Sequence, residues 1–103
     1  MHFAKARELA ACWVNLTAGE TAEIHREKTM ALPYGWVFFY NSSEFLADPR
    51  NHGASLVGNV SILVDRVNGE LRVLGPRYEE RLKELEREIP SACLQMRPEP
   101  PRW

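Results

Sequence analysis

Tyr34-Gly35-Trp36-Val37-Phe38-Phe39-Tyr40-Asn41 is the densest apolar run of the chain, and its aromatic and β-branched side chains suit a pleated, buried surface. The run predicts the central strand of a sheet. Gly35 opens it, a residue suited to close backbone approach or a sharp turn, and Asn41-Ser42-Ser43 closes it with side chains that compete for backbone hydrogen bonds. Alternation sends Trp36, Phe38 and Tyr40 to one face and Val37 and Phe39 to the other. Both faces therefore need cover.

Working outward toward the C-terminus, residues 42–59 hold Pro49, Asn51, Gly53, Gly58 and Asn59 around a short helical stretch at Ser43-Glu44-Phe45-Leu46, and read as a long covering or functional loop. Val60, Ile62 and Val64 then alternate with Ser61, Leu63 and Asp65. Asn68-Gly69 predicts a tight hairpin, with both residues at positive φ, returning through Leu71-Arg72-Val73-Leu74. Gly75-Pro76 introduces a helix whose stripe is Tyr78, Leu82, Leu85 and Ile89, with Glu79 four residues before Lys83 and Pro90 as the stop. Residues 90–103 carry four of the seven prolines and no apolar period, and so read as a tail or strap.

Toward the N-terminus, residues 21–29 alternate, with Ala22 and Ile24 on one side and Glu23, His25 and Glu27 on the other, before Pro33 ends the run. So many charges predict an edge strand. Phe3, Ala6, Leu9, Ala10, Trp13 and Leu16 recur at steps of three and four and predict a helix over residues 3–16, closed by Gly19.

The order is helix, four strands, helix. The simplest assembly is an α+β fold in which a four-stranded antiparallel sheet is flanked by an N-terminal and a C-terminal helix (α-β-β-β-β-α) in one domain over residues 1–89, with a Pro-rich tail over 90–103. With both helices on one face, the second face would be closed by the long loop, by a second copy in a homodimer, or by a partner.

Composition narrows the function classes. A chain of 103 residues, 45% hydrophobic, suits one domain, and a formal net charge of −1 supplies no basic field for nucleic acid or an anionic membrane. No apolar run approaches the roughly 20 residues of a membrane span, and Lys5, Arg7 and Glu8 interrupt any apolar leader, so a cytoplasmic protein is expected. Cys12 and Cys93 predict two unlinked thiols, Cys12 at least half-buried.

Chemical motifs are sparse. Gly53-Ala54-Ser55-Leu56-Val57-Gly58 has the glycine spacing of a phosphate loop, but Asn59-Val60 stands where Lys-Ser/Thr is required. Glu23, His25 and Glu27 on one strand face could make a base or metal ligand of His25, against the commoner reading of a solvated edge. His2 and His52 have no paired ligand nearby in sequence. Neither a Gly-x-Ser-x-Gly elbow nor a His-Glu-x-x-His helix occurs. No catalytic residue, cofactor or metal is therefore expected. A double-stranded RNA-binding module shares the helix–strands–helix order, yet Arg77-Tyr78-Glu79-Glu80 would turn two glutamates toward phosphate.

The run Tyr34-Gly35-Trp36-Val37-Phe38-Phe39-Tyr40-Asn41-Ser42 resembles the signature of the Immunity protein 35 family, also called the YrhB family. Phe45-Leu46, the Leu56-Val57-Gly58-Asn59 loop, Ile62-Leu63-Val64-Asp65-Arg66, Gly69-Glu70 and Val73-Leu74-Gly75 continue the resemblance in order over roughly residues 3–88, with Val60-Ser61 departing from a Gly-Pro pattern. The resemblance implies a bacterial immunity protein that binds a cognate toxin, with no catalytic residues carried over. Trp36, Phe38, Phe39, Tyr40 and Val64 read as core, so recognition is expected on irregular surfaces: Phe45, Arg50 and His52 in the long loop, and Glu23, His25 and Glu27 on the first strand. The alternative is a small chaperone-like or assembly protein that uses an exposed apolar sheet face.

Overall fold

Strand β3 (Gly35–Phe38) lies between β2 (Met30–Leu32) and β5 (Ser61–Asp65), and β6 (Leu71–Gly75) completes an antiparallel sheet in the order β2-β3-β5-β6. The computed structural model describes residues 1–55 and 60–103, so the Leu56-Val57-Gly58-Asn59 loop and half of the phosphate-loop-like stretch lie outside the described residues. Gly35 answers the close-approach reading: it pairs with Asp65, and a Cβ there would run into the Val64 carbonyl group.

The aromatic run is not one strand in one sheet. It breaks at Phe39, and β4 (Tyr40–Ser42) leaves to pair with β1 (Ala22–Ile24) in a separate two-stranded ribbon. The break has a partner on the opposing chain. Ile24 faces Tyr40, the His25 N–H donates to the Phe39 carbonyl at 2.7 Å, and then Met30 faces Val37. Between these points the register shifts by three residues, the length of the 3-10 turn Arg26–Lys28. The expected strand over 21–29 is thus β1 followed by an inserted turn, and β2 begins only at Met30. An insertion on one strand bends and twists the pair, which is how a single hairpin comes to feed two sheets.

Helix α1 (Phe3–Ala18) and helix α3 (Tyr78–Glu86) lie on opposite faces of the four-stranded sheet, not on one face as expected. Phe3, Ala6, Ala10 and Val14 of α1 pack with Trp36, Phe38, Tyr40, Ile62 and Val64. Leu82 and Leu85 of α3 pack with Tyr34, Val37, Leu63 and Leu74, joined by Ile89 and by Leu94 of the short helix α4 (Ser91–Leu94). The physical reason lies in the alternation: a strand with bulky side chains on both faces requires an apolar element on each. Among the described residues both faces of the four-stranded sheet are thus covered, whereas the chaperone-like alternative needs one of them open.

On α1 the buried stripe runs through Val14, while Leu16 is 81% exposed. Cys12, expected to be at least half-buried, is exposed; it and the half-buried Cys93 are free thiols. The β5–β6 connection is also longer than the expected two-residue turn. Residues 66–70 form it, Asp65 Oδ1 accepts the Val67 and Asn68 N–H groups at 2.7 and 3.1 Å, and Gly69 adopts φ 75°. No non-glycine among the described residues has positive φ, so Asn68 does not play the expected part.

The proline-rich C-terminal stretch runs back across α1. The Glu99 carboxylate accepts the Phe3 N–H and the His2 Nδ1, the latter at 2.8 Å, thereby capping the first turn of a helix whose own N-cap residue, His2, makes no side-chain cap. The Glu99 carbonyl accepts the buried Trp36 indole N–H at 2.8 Å. An indole in a core needs one acceptor. Trp103 then stands edge-on to Phe3 and Phe38, with ring centroids 5.1 and 6.3 Å away.

Candidate partner-binding surface

The β1–β4 ribbon and the segment after it form one end of the molecule. Ser42 ends β4 and caps helix α2 (Ser43–Ala47): its Oγ accepts the Phe45 N–H at 3.1 Å and donates to the Ala54 carbonyl. Asn41 reaches the same returning loop, its Nδ2 donating to Ser55 Oγ at 3.3 Å. Ser43 ties the start of α2 to the strand opposite, its N–H and Oγ both donating to the Thr21 carbonyl at 2.7 Å. Through these bonds the polar run Asn41-Ser42-Ser43, which marked the end of a strand in the sequence, anchors the loop to the ribbon. A loop held this way presents its side chains on a fixed scaffold.

Of the candidate residues, Glu23 is exposed in the middle of β1, opposite Asn41, and α2 packs against the same strand. Phe45 is half-buried on α2. Arg50 and His52 are exposed on the following loop, Arg50 lying against Asp48 with Nε to Oδ1 at 3.4 Å. His25 and Glu27 do not share a strand face with Glu23: His25 is half-buried just beyond the strand, and Glu27 is exposed in the 3-10 turn. The arrangement expected of a histidine base or ligand flanked by two carboxylates is thus absent. Among the described residues no three His, Cys, Asp or Glu side chains are grouped to hold a metal ion, and no helix is long and apolar enough to cross a membrane.

Sequence reasoning missed the other side of β1. There a groove of about 360 Å³ runs between α1 and β1, lined by Arg7, Val14, Asn15, Ile24 and Arg26, with Trp103 at its border and Glu23 also facing it. The guanidinium carbons of Arg7 and Arg26 lie 5.7 and 5.2 Å from the centre of the Trp103 ring. A lone tryptophan after Pro100-Pro101-Arg102 was the only available signal.

Two titrating groups mark the opposite ends of the core. Burial, and after it the hydrogen bond that its hydroxyl donates to Glu86 Oε1 at 2.9 Å, push the Tyr34 phenol well above its ordinary range. The hydrogen bond from His2, followed by that from the Phe3 N–H, holds the Glu99 carboxyl below its ordinary range. Both interactions bear on packing. A second cavity, of about 240 Å³, opens beside Tyr34 between α3, α4 and the β5–β6 loop, with Leu63, Leu85 and Ile89 as its apolar wall.

The four-stranded sheet is thus covered on both faces, and the β1–β4 ribbon and the loop bonded to it form a separate irregular surface. The family model for Immunity protein 35 matches residues 2–92, and the chain belongs to that family. Neither the curated proteins nor the solved structures contain a match.

Proposed function

We propose that this protein is the immunity component of a bacterial polymorphic toxin system, acting in the cytoplasm by binding its cognate toxin stoichiometrically. Membership of the immunity family over residues 2–92 carries the reading. Protection by binding requires a complementary surface of about 800 Å² per partner and no reactive group, so no catalysis, cofactor or metal is invoked. The ribbon and loop support the choice of surface, because Glu23, Phe45, Arg50 and His52 lie on segments bonded to one another, while His25 and Glu27 flank them at the inserted turn. A half-buried Phe45 among polar neighbours has the character of an interface anchor inside a polar rim. A formal net charge of −1 favours a protein partner over nucleic acid or lipid.

The test is co-expression with the toxin domain encoded beside this gene, followed by size-exclusion chromatography and titration of toxicity. A one-to-one complex and protection that saturates at equimolar protein are expected. Protection without a complex, or at far less than one equivalent, would point to an enzyme and end the binding reading.

A further inference from the structure

We propose that the groove between α1 and the free edge of β1 docks an extended, acidic segment of the toxin partner, an inference that rests on the binding reading above. Three features converge on it. The first is an unpaired strand edge. In the antiparallel β1–β4 ribbon, the Ser43 N–H donates to the Thr21 carbonyl and the His25 N–H to the Phe39 carbonyl, so by alternation the peptide groups of Ala22 and Ile24 turn away from β4. The Ala22 N–H is taken by the Gly19 carbonyl at 3.2 Å; the Ile24 N–H and C=O have no partner among the described residues. Such an edge accepts an added strand.

The second feature is charge. Arg50, Arg72, Arg77 and Arg81 each lie within ion-pair distance of a side-chain carboxylate, whereas Arg7 and Arg26, like Arg66, Arg87, Arg97 and Arg102, have no acidic side chain within that distance among the described residues; of these, Arg7 and Arg26 line the groove. Both instead lie against the Trp103 ring, and Arg7 Nη1 donates to the Trp103 carbonyl at 3.1 Å. Stacking on the indole fixes the two guanidinium groups in place while leaving donors for a carboxylate. The third feature is the way Arg26 reaches the groove. It opens the three-residue turn inserted between β1 and β2, and insertions of this kind re-aim side chains beside strands. Glu23, the one acidic side chain facing the groove among the described residues, sets the register: an acidic residue of the segment belongs opposite Arg26 and is repelled at Glu23.

The intact chain, isotopically labelled, is titrated with a capped eight-residue peptide of alternating valine and aspartate, and with its lysine counterpart, while amide and indole resonances are followed. The acidic peptide is expected to shift the Ile24 and Arg26 amides and the Trp103 indole. Arg26→Glu should weaken that response about tenfold or more and confer a response to the lysine peptide; Glu23→Gln should strengthen the acidic response. Both residues are exposed, so both variants should stay folded, Glu23→Gln melting with the parent and Arg26→Glu slightly below it through the lost stacking on Trp103. Equal responses to the two peptides, shifts confined to other residues, or no shifts overturn the proposal. The same Arg26→Glu variant is then assayed for the toxin complex. Unchanged toxin affinity removes the groove from the interface and leaves the binding reading intact. An acidic-peptide response in a protein that forms no toxin complex overturns the toxin reading while upholding the groove and its ligand class.

Discussion

The two faces of the four-stranded sheet are built from alternate residues of the same strands, yet they differ in kind. The α1 face is aromatic, with Phe3 stacked on Phe38 at 5.9 Å and set edge-on to Trp36 at 5.8 Å, and the C-terminal stretch closes it through Glu99 and Trp103. The buried centre of the α3 face is aliphatic apart from Tyr34, with the edge-on pair Phe39 and Tyr78, 5.1 Å between centroids, at its margin; it is covered by a nine-residue helix and borders the cavity of about 240 Å³. On the α1 face flat rings interlock and the Trp36 indole has its acceptor. On the α3 face the buried side chains are mostly branched aliphatics. The lesson is that alternation within a strand demands cover on both sides but leaves each cover free to use different chemistry.

The largest expected effect tests that contrast directly. Phe38→Ala should cost about 3–5 kcal/mol, because interlocked rings cannot collapse into the space, whereas Leu82→Ala should cost about 2–3 kcal/mol beside a face that can relax. Denaturant midpoints measure both, and a Leu82 variant less stable than the Phe38 variant would reverse the comparison.

Deletion of residues 91–103 should leave a folded domain that melts below the parent. It removes Leu94 from one face and, from the other, the Trp36 acceptor, which alone costs about 1–3 kcal/mol when a buried donor is orphaned. A shorter deletion of residues 97–103 sharpens the result, since it strips only the α1 face and should account for most of the loss. Equal melting of the parent and the shorter deletion would show that this stretch contributes nothing to that core.

Tyr34→Phe touches the α3 face alone, removing the hydrogen bond to Glu86, and should cost about 1 kcal/mol by thermal melting. The smallest effect belongs to Glu99. Its folded pKa is depressed, so its contribution is present above the unfolded carboxylate pKa and is lost as pH falls through the lower folded value. Parent and Glu99→Gln should accordingly differ most near neutral pH and converge in acid. A difference independent of pH would assign the loss to packing.

Local signals explain what was legible in the sequence. The α3 stripe is continuous over Tyr78, Leu82, Leu85 and Ile89, and the β5 and β6 runs are separated by turn residues, so both elements follow from their own residues. The end of the α1 stripe was also within reach. Leu16 stands thirteen residues beyond Phe3, which at about 100° per residue places it on the far side of the helix, whereas Val14 falls on the stripe. The break at Phe39 was not legible, because it is compensated by Arg26–Lys28 on another strand, and periodicity within one run carries no record of its partner. Nor was the side of the sheet each helix would take. Among the candidate recognition residues, Glu23, Phe45, Arg50 and His52 were placed by loop and edge character alone. Arg7, Arg26 and Trp103 were not grouped, because they meet only when residues at the two ends of the chain come together.

The bond between Glu99 and Phe3 spans 96 residues, so the aromatic core is sealed only when two distant stretches of chain meet. Contacts of that range carry a large loop-closure entropy and form slowly. The β5–β6 hairpin and α3 on the other face meet through far shorter loops. Until Glu99 docks, the Trp36 indole lacks its acceptor and α1 its cap, so in refolding the Trp36 indole should be among the last groups to reach its native environment.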